Sequence, residues 1–71
     1  MLVRVRANVA GVVWKIAAAQ GDAVSAGQTV VILESMKMEI PVASPSAGRV
    51  ARVLVAPGDA VDEDAVLLEL A

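Results

Sequence analysis

Short apolar blocks separated by turn residues run along the whole chain. Residues Val3–Arg6 alternate apolar and charged side chains with a period of two, which is typical of a strand with one buried face. Residues 29–34 and Val66–Leu70 are apolar runs of strand length. Valine recurs in most blocks, and its stiff, branched side chain favours pleated structure. The pattern therefore predicts an all-β fold of many short strands.

The second half of the chain repeats the first at a constant offset of 37 residues. The tetrapeptide Gly-Asp-Ala-Val occupies positions 21–24 and recurs at 58–61, and the pair Ala-Gly at 10–11 recurs at 47–48. A repeat this short cannot close its own core, so we expect the two halves to pack together as a single domain, residues 1–71. Two similar halves related by a pseudo-twofold axis would form a flattened β-barrel of two facing antiparallel sheets.

Turns and β-bulges are indicated inside each half. Residues 56–59, with Pro57 and Gly58 at the central positions, have the chemistry of a type II turn, and residues 19–22 repeat it without the proline. We expect the aspartate that ends each turn to organise it. Val13 and Ile16 are three positions apart, as are Val50 and Val53, and both members of each pair can face the core only if a β-bulge adds one residue to each strand. Trp14 and the residue after it then face outward.

Composition and charge exclude several classes of site. The chain has 71 residues without cysteine or histidine, which removes the usual zinc sites, cysteine nucleophiles and histidine bases. A formal net charge of −2 argues against a nucleic-acid or polybasic membrane surface. No uncharged apolar run approaches the ~20 residues that a membrane helix needs. We therefore expect a cytoplasmic protein that binds neither nucleic acid nor membrane.

The junction between the halves, residues 36–38, has two interpretations on pattern alone. The first is a hairpin that projects from one end of the barrel, although Met-Lys is a poor match to the Asn-Gly or Asp-Gly of tight hairpin turns. The second is a continuous strand, with Met36 and Met38 facing the core and Lys37 facing water. The pattern of residues leaves both open.

A five-residue motif at this junction resembles a family signature. Glu34-Ser35-Met36-Lys37-Met38 is similar to the E-A-M-K-M motif of biotinyl domains, the biotin carboxyl carrier protein family with its biotin/lipoyl attachment domain. The likeness extends to positions 21–24, 27–28 and 40–48, and so covers essentially the whole chain. The departure within the motif is Ser35, where the family usually has alanine. Nothing between positions 17 and 28 resembles the protruding thumb of some members, which implies the thumbless form.

The resemblance implies a fold and a function. The fold would be a barrel-sandwich hybrid of two antiparallel sheets, with the modified lysine on a hairpin tip. By position, Lys37 would take biotin covalently from a biotin protein ligase, Met36 and Met38 would flank it, and Glu34 would be recognised by the ligase. The biotin would shuttle a carboxyl group between the biotin carboxylase and carboxyltransferase sites of a biotin-dependent carboxylase or transcarboxylase. The chain itself would be a non-catalytic carrier, monomeric in isolation.

Two other functions compete with this interpretation. A lipoyl domain has the same kind of fold but typically Asp-Lys-Ala or Asp-Lys-Val at its tip, whereas methionine stands on both sides of Lys37 here. An unmodified barrel used as a structural adaptor in a larger assembly belongs to a different class. Attachment of biotin, of lipoate or of neither group distinguishes the three. Lys15, the other lysine of the chain, lacks the motif, and we expect it to stay unmodified.

Overall fold

Eight strands build the protein in the computed structural model, which describes residues 2–71. The first half contains β1 (Val3–Arg6), β2 (Gly11–Ile16), β3 (Ala23–Val24) and β4 (Thr29–Ser35). The second half contains β5 (Met38–Ala43), β6 (Gly48–Val53), β7 (Ala60–Val61) and β8 (Val66–Leu70). None of residues 2–71 forms a helix long and apolar enough to cross a membrane.

The strands form two four-stranded antiparallel sheets. Sheet A has the order β1-β8-β6-β3, and sheet B has the order β5-β4-β2-β7. Each sheet takes two strands from each half, and exchanging equivalent strands of the two halves converts one order into the other. The predicted all-β architecture of two facing sheets with pseudo-twofold symmetry is therefore confirmed. The two halves are interlocked, because neither sheet is built by one half alone.

Both predicted β-bulges are present. The register of β2 against β4 shifts between Val13 and Lys15, and the register of β6 against β8 shifts between Val50 and Arg52. Val13 and Val50 are each 1% exposed, and Ile16 and Val53, three positions further on, are partly buried against the core. Trp14 and Lys15 are exposed on the outer face of sheet B, as the extra residue requires.

The type II turns close as the sequence predicts. Gly58 has a φ of 94°, the left-handed conformation that this position of the turn requires, and Gly21 has a φ of 92°. Asp59 donates its backbone N–H to the carbonyl of Ala56 at 3.1 Å, and its carboxylate accepts the Ala56 N–H at 2.8 Å. The turn at 19–22 has the same two hydrogen bonds. The aspartates organise the turns through their side chains, as expected.

The core between the sheets contains only small and medium aliphatic side chains among the described residues. Its buried members are Val5, Ala7, Val13, Ala18, Val24, Val30, Val31, Leu33, Val42, Val50, Leu67, Leu68 and Leu70. The leucines are the largest of these side chains, with Leu33 on the central strand β4 of sheet B and Leu67, Leu68 and Leu70 on the central strand β8 of sheet A. This buried set fixes the register of the strands, because a slip of one residue would turn core side chains to the outer face.

An ion-pair row crosses the outer face of sheet A. Glu69 on β8 is only 4% exposed. Its Oε1 accepts a hydrogen bond from Arg52 Nε on β6 at 3.0 Å, and Arg4 Nε on β1 lies 3.6 Å from its Oε2. Arg4 and Arg52 therefore cover a carboxylate that would otherwise be buried without a counter-charge.

Candidate functional site

The five motif residues lie on the hairpin that joins β4 to β5. The paired positions are Leu33 with Ile40, Glu34 with Glu39, and Ser35 with Met38. Met36 and Lys37 are therefore left as a two-residue loop. On its other side β4 pairs with β2, so the hairpin extends from a central strand of sheet B. The structure supports the hairpin interpretation of this junction, and the continuous-strand interpretation is wrong.

The backbone at the tip is left-handed at two residues that rarely adopt this conformation. Met36 has a φ of 51° and Lys37 a φ of 64°. A two-residue type I′ hairpin turn needs positive φ at both central positions, which explains the usual preference for Asn-Gly. For residues with a Cβ, the left-handed conformation costs roughly 1–2 kcal/mol each. The chain therefore keeps a locally unfavourable pair at the point where the motif requires Met-Lys.

The tip side chains project into solvent. Met36 is 93% exposed and Met38 is 64% exposed, and Lys37 between them is exposed as well. Both ion pairs found among residues 2–71 involve Glu69, so no carboxylate of this part of the chain lies within salt-bridge distance of the Lys37 amine. The amine is thus free to enter a pocket of another protein. Unbranched, polarizable methionines on both sides suit contact with more than one such pocket.

Two glutamates stand side by side just below the tip. Glu34 on β4 is directly opposite Glu39 on β5, and both are exposed. Since Leu33 points into the core, these two carboxylates point away from it, on the outer face of sheet B. Like charges directly opposite each other on a sheet are unfavourable. Glu34 was singled out from the motif, whereas the register that brings Glu39 beside it was not foreseen.

A close backbone contact supports the base of the hairpin. A Cβ added at Gly11, the first residue of β2, would lie 2.5 Å from the carbonyl oxygen of Glu34. Only glycine lets β2 and β4 approach this closely. The equivalent Gly48 lies against the backbone of Ala71, where an added Cβ would be 3.0 Å from the carbonyl oxygen. The repeated Ala-Gly pair was the sequence signal for this contact, although the pattern alone did not assign it a role.

Neither the acidic residues nor the surface groove of the fold adds a second kind of site at the hairpin. No group of three or more Asp or Glu side chains within residues 2–71 could hold a metal ion. A shallow groove of about 420 Å³ lies at the far end of β2, lined mainly by Ile16, Ala17, Ala18 and Gln20. The hairpin does not line this groove. The chemistry available at the tip is therefore that of a single exposed amine.

Comparison with known proteins identifies the family. A family model described as "Biotin-requiring enzyme", the biotin/lipoyl attachment family, matches residues 4–70. The chain belongs to this family. The match covers nearly all of the chain, and it confirms the resemblance that the motif indicates.

Two curated relatives of this biotin/lipoyl attachment domain are of similar length. The chain is 49% identical over 63 residues to the Biotin/lipoyl attachment protein of Bacillus subtilis (strain 168), which covers 89% of this chain and 86% of that protein. It is 44% identical over 57 residues to the Biotinylated protein TB7.3 homolog of Mycobacterium leprae (strain TN), covering 80% of each.

Solved structures of large carboxylases contain the same domain. The crystal structure of the Kluyveromyces lactis urea carboxylase superimposes with a TM-score of 0.94 at 32% identity, over 100% of this chain and 6% of that one. A single-chain, multi-domain long-chain acyl-CoA carboxylase superimposes with a TM-score of 0.89 at 41% identity, over 96% of this chain and 7% of that one. The chain thus spans a small fraction of each of these enzymes.

The site residues of this domain fit a covalently attached group. Membership of the family indicates covalently bound biotin as the cofactor. An amide link requires an accessible primary amine, and Lys37 offers one on a projecting tip. Lys15 is also exposed, but it lies within β2 at a bulge, where it is paired with Ile32 of β4. It therefore stands on the face of a sheet and not on a projecting tip.

Proposed function

We propose that this chain is a biotin carboxyl carrier and that Lys37 is the residue that carries biotin. The observation behind the assignment is the tip itself, where a single amine projects from a strained two-residue turn between exposed methionines. A turn of this kind is unfavourable for the fold, so its retention is explained by the use of the residues it presents.

Attachment changes one bond at the lysine. The Nζ amine attacks the carbonyl of an activated biotin, an amide N–C bond forms, the activating group leaves and a proton is released. Acylation of the amine needs an activated acyl donor and a base that takes up the released proton, and no carboxylate of residues 2–71 lies within salt-bridge distance of the Lys37 amine to act as that base. We therefore assign activation and proton removal to a biotin protein ligase. Loss of the lysine charge takes the formal net charge from −2 to −3.

The hairpin would then present the attached biotin to two enzyme sites in turn. When bound, biotin carries a carboxyl group from a biotin carboxylase site to a carboxyltransferase site. The residues of the chain hold the attachment point clear of the sheets, so that each partner pocket can surround it. Tethering of this kind replaces free diffusion with an effective concentration in the mM range for short flexible linkers. In this proposal the catalysis belongs to the partner enzymes and the chain supplies presentation.

Intact mass after co-expression with a biotin protein ligase tests the proposal. We expect the wild-type chain to gain one biotinyl increment and Lys37→Arg, which keeps the charge, to gain none. Lys15→Arg is the matched control and should be loaded like the wild type. A lipoyl increment would favour the lipoyl-domain alternative, and an unmodified chain beside an active ligase would favour the structural adaptor. Either result would overturn the proposal.

A further inference from the structure

An apolar patch lies on the outer face of sheet B, next to the hairpin. The register places Val12 beside Glu34, whose pair with Glu39 is the next one after the Ser35–Met38 pair that closes the loop. The next row contains Pro41 on β5, Ile32 on β4, and the bulged pair of β2 that includes Trp14. Trp14, the only aromatic residue of the chain, is 49% exposed, and Val12 is 42% exposed. We call Val12, Trp14, Ile32 and Pro41 the sheet B patch.

The internal repeat shows that the fold does not require this patch. The positions equivalent to Val12, Trp14, Ile32 and Pro41 on sheet A are Arg49, Ala51, Glu69 and Arg4. Those positions share the strand pattern and the bulge, yet they are mostly charged. The same backbone framework is therefore stable with charged residues on its outer face. Lys15, which lies beside Trp14, is charged like its equivalent Arg52, but the four patch positions themselves are apolar only on the sheet that carries the hairpin. This difference points to a use linked to the hairpin.

The border of the patch on the side of the tip is acidic. Glu34 and Glu39 lie between the Met-Lys loop and the part of the patch formed by Ile32 and Pro41, and neither takes part in the ion pairs found among residues 2–71. Two like charges on directly opposite residues repel each other in the isolated chain. A partner that brings lysine or arginine to this border would relieve the repulsion. The charge pattern therefore fits a partner surface that has an apolar groove with basic residues at its edge.

We propose that the sheet B patch is the docking surface for the biotin protein ligase that loads Lys37, an inference that rests on the proposed function. The ligase must bring its activated acyl group to the lysine amine itself, so it has to enclose the tip closely. Pro41 is three residues beyond Met38, about 10 Å at the usual strand rise of roughly 3.3 Å per residue. An interface of ordinary size, about 800 Å² per partner, that is centred on the tip reaches that far.

Trp14 is the anchor of this docking surface. Tryptophan is enriched among the few residues that dominate binding energy at interfaces, because it buries a large rigid surface. The carboxylase sites need less contact here, because the attached arm extends the reach of the tip once loading is complete. The ligase surface that meets the chain is an apolar groove bordered by basic residues that face Glu34 and Glu39.

Steady-state kinetics of biotin transfer test the docking surface. Trp14→Thr should lower kcat/KM by at least tenfold, mainly through a higher KM for the chain, and Trp14→Phe should restore most of it. Glu39→Lys, a change at an exposed position on the same face, should also raise KM. Leu2→Thr is the matched control, since Leu2 is 44% exposed but lies beside β1 on sheet A. It should behave like the wild type.

Direct contact is measured separately from any effect on stability. The chain has one tryptophan, so incorporation of 5-fluorotryptophan gives a single ¹⁹F resonance. Addition of unlabelled ligase to the labelled Lys37→Arg chain should shift or broaden that resonance. An unchanged resonance at saturating ligase, or wild-type kcat/KM for both Trp14→Thr and Glu39→Lys, would overturn this inference alone. Failure of the wild-type chain to take biotin would instead overturn the proposed function.

Discussion

At the scale of single residues, the distinctive feature of the tip is the left-handed backbone conformation of its two loop residues. Met36 and Lys37 both have positive φ, and neither has the side chain that usually makes a type I′ turn favourable. The turn persists because β4 and β5 are paired on both sides of it and β4 is also paired with β2. The sheet therefore holds the tip in a conformation that the loop residues alone would not prefer.

Replacing the loop by the residues that the turn prefers should stabilise the fold. We expect Met36→Asn combined with Lys37→Gly to raise the free energy of unfolding by about 1–2 kcal/mol, because the left-handed strain is relieved. Urea unfolding followed by far-UV circular dichroism measures this. Lys37→Ala keeps the strain and buries nothing, so it should change stability by less than about 0.5 kcal/mol. Equal stability of the double variant and the wild type would show that the tip is not strained.

At the scale of strands and turns, much of the arrangement follows from local chemistry. The repeated Gly-Asp-Ala-Val segments and the three-residue spacing of Val13 and Ile16 were enough to predict the turns and bulges. Other features depend on which strands become neighbours. The burial of Glu69 between Arg4 and Arg52 and the pairing of Glu34 with Glu39 arise from register across strands distant in sequence. No local pattern contains that information.

The close approach of β2 to the hairpin should make Gly11 sensitive to substitution. In Gly11→Ala the new Cβ would meet a backbone oxygen, which cannot rotate away, and we expect a loss of about 1–3 kcal/mol in unfolding free energy. The equivalent Gly48→Ala has a looser contact and should cost less. Thermal unfolding of the two variants compares them. A larger loss for Gly48→Ala would contradict the contact distances that distinguish the two sites.

The ion-pair row of sheet A should be replaceable by an apolar side chain. Ile32 holds the equivalent position on sheet B, so Glu69→Ile imitates what the other half already does. Both arginine side chains are more than half exposed and remain solvated when the glutamate is removed. We therefore expect unfolding free energy to change by no more than about 1 kcal/mol. A loss of several kcal/mol in chemical denaturation would mean that the ion pairs themselves hold the three strands together.

At the scale of the whole molecule, the two halves are interlocked strand by strand. Sheet A places β8 and β6 between β1 and β3, so the first half cannot form that sheet without the second. The molecule measures 32 × 18 × 18 Å, and its two sheets share one core. The single-domain extent, the monomeric state and the cytoplasmic location expected from the sequence stay predictions.

Interlocking predicts that neither half folds alone. A peptide of residues 1–37 contains β1 to β4 but lacks the neighbours that pair with β1 and β3. We expect it to show no cooperative thermal transition by far-UV circular dichroism, whereas the full chain should unfold in one step. A sigmoidal melting curve for the isolated peptide would contradict this account of the fold.

The most direct test of the central claim is to locate the modification in the chain after loading by a biotin protein ligase. Trypsin cleaves after Lys15, Lys37 and Arg49, and acylation of Lys37 blocks the middle cut. We predict a single peptide of residues 16–49 that carries one biotinyl increment on Lys37. Unmodified peptides of residues 16–37 and 38–49, or biotin on Lys15, would contradict the claim that the hairpin presents the lysine that carries the cofactor.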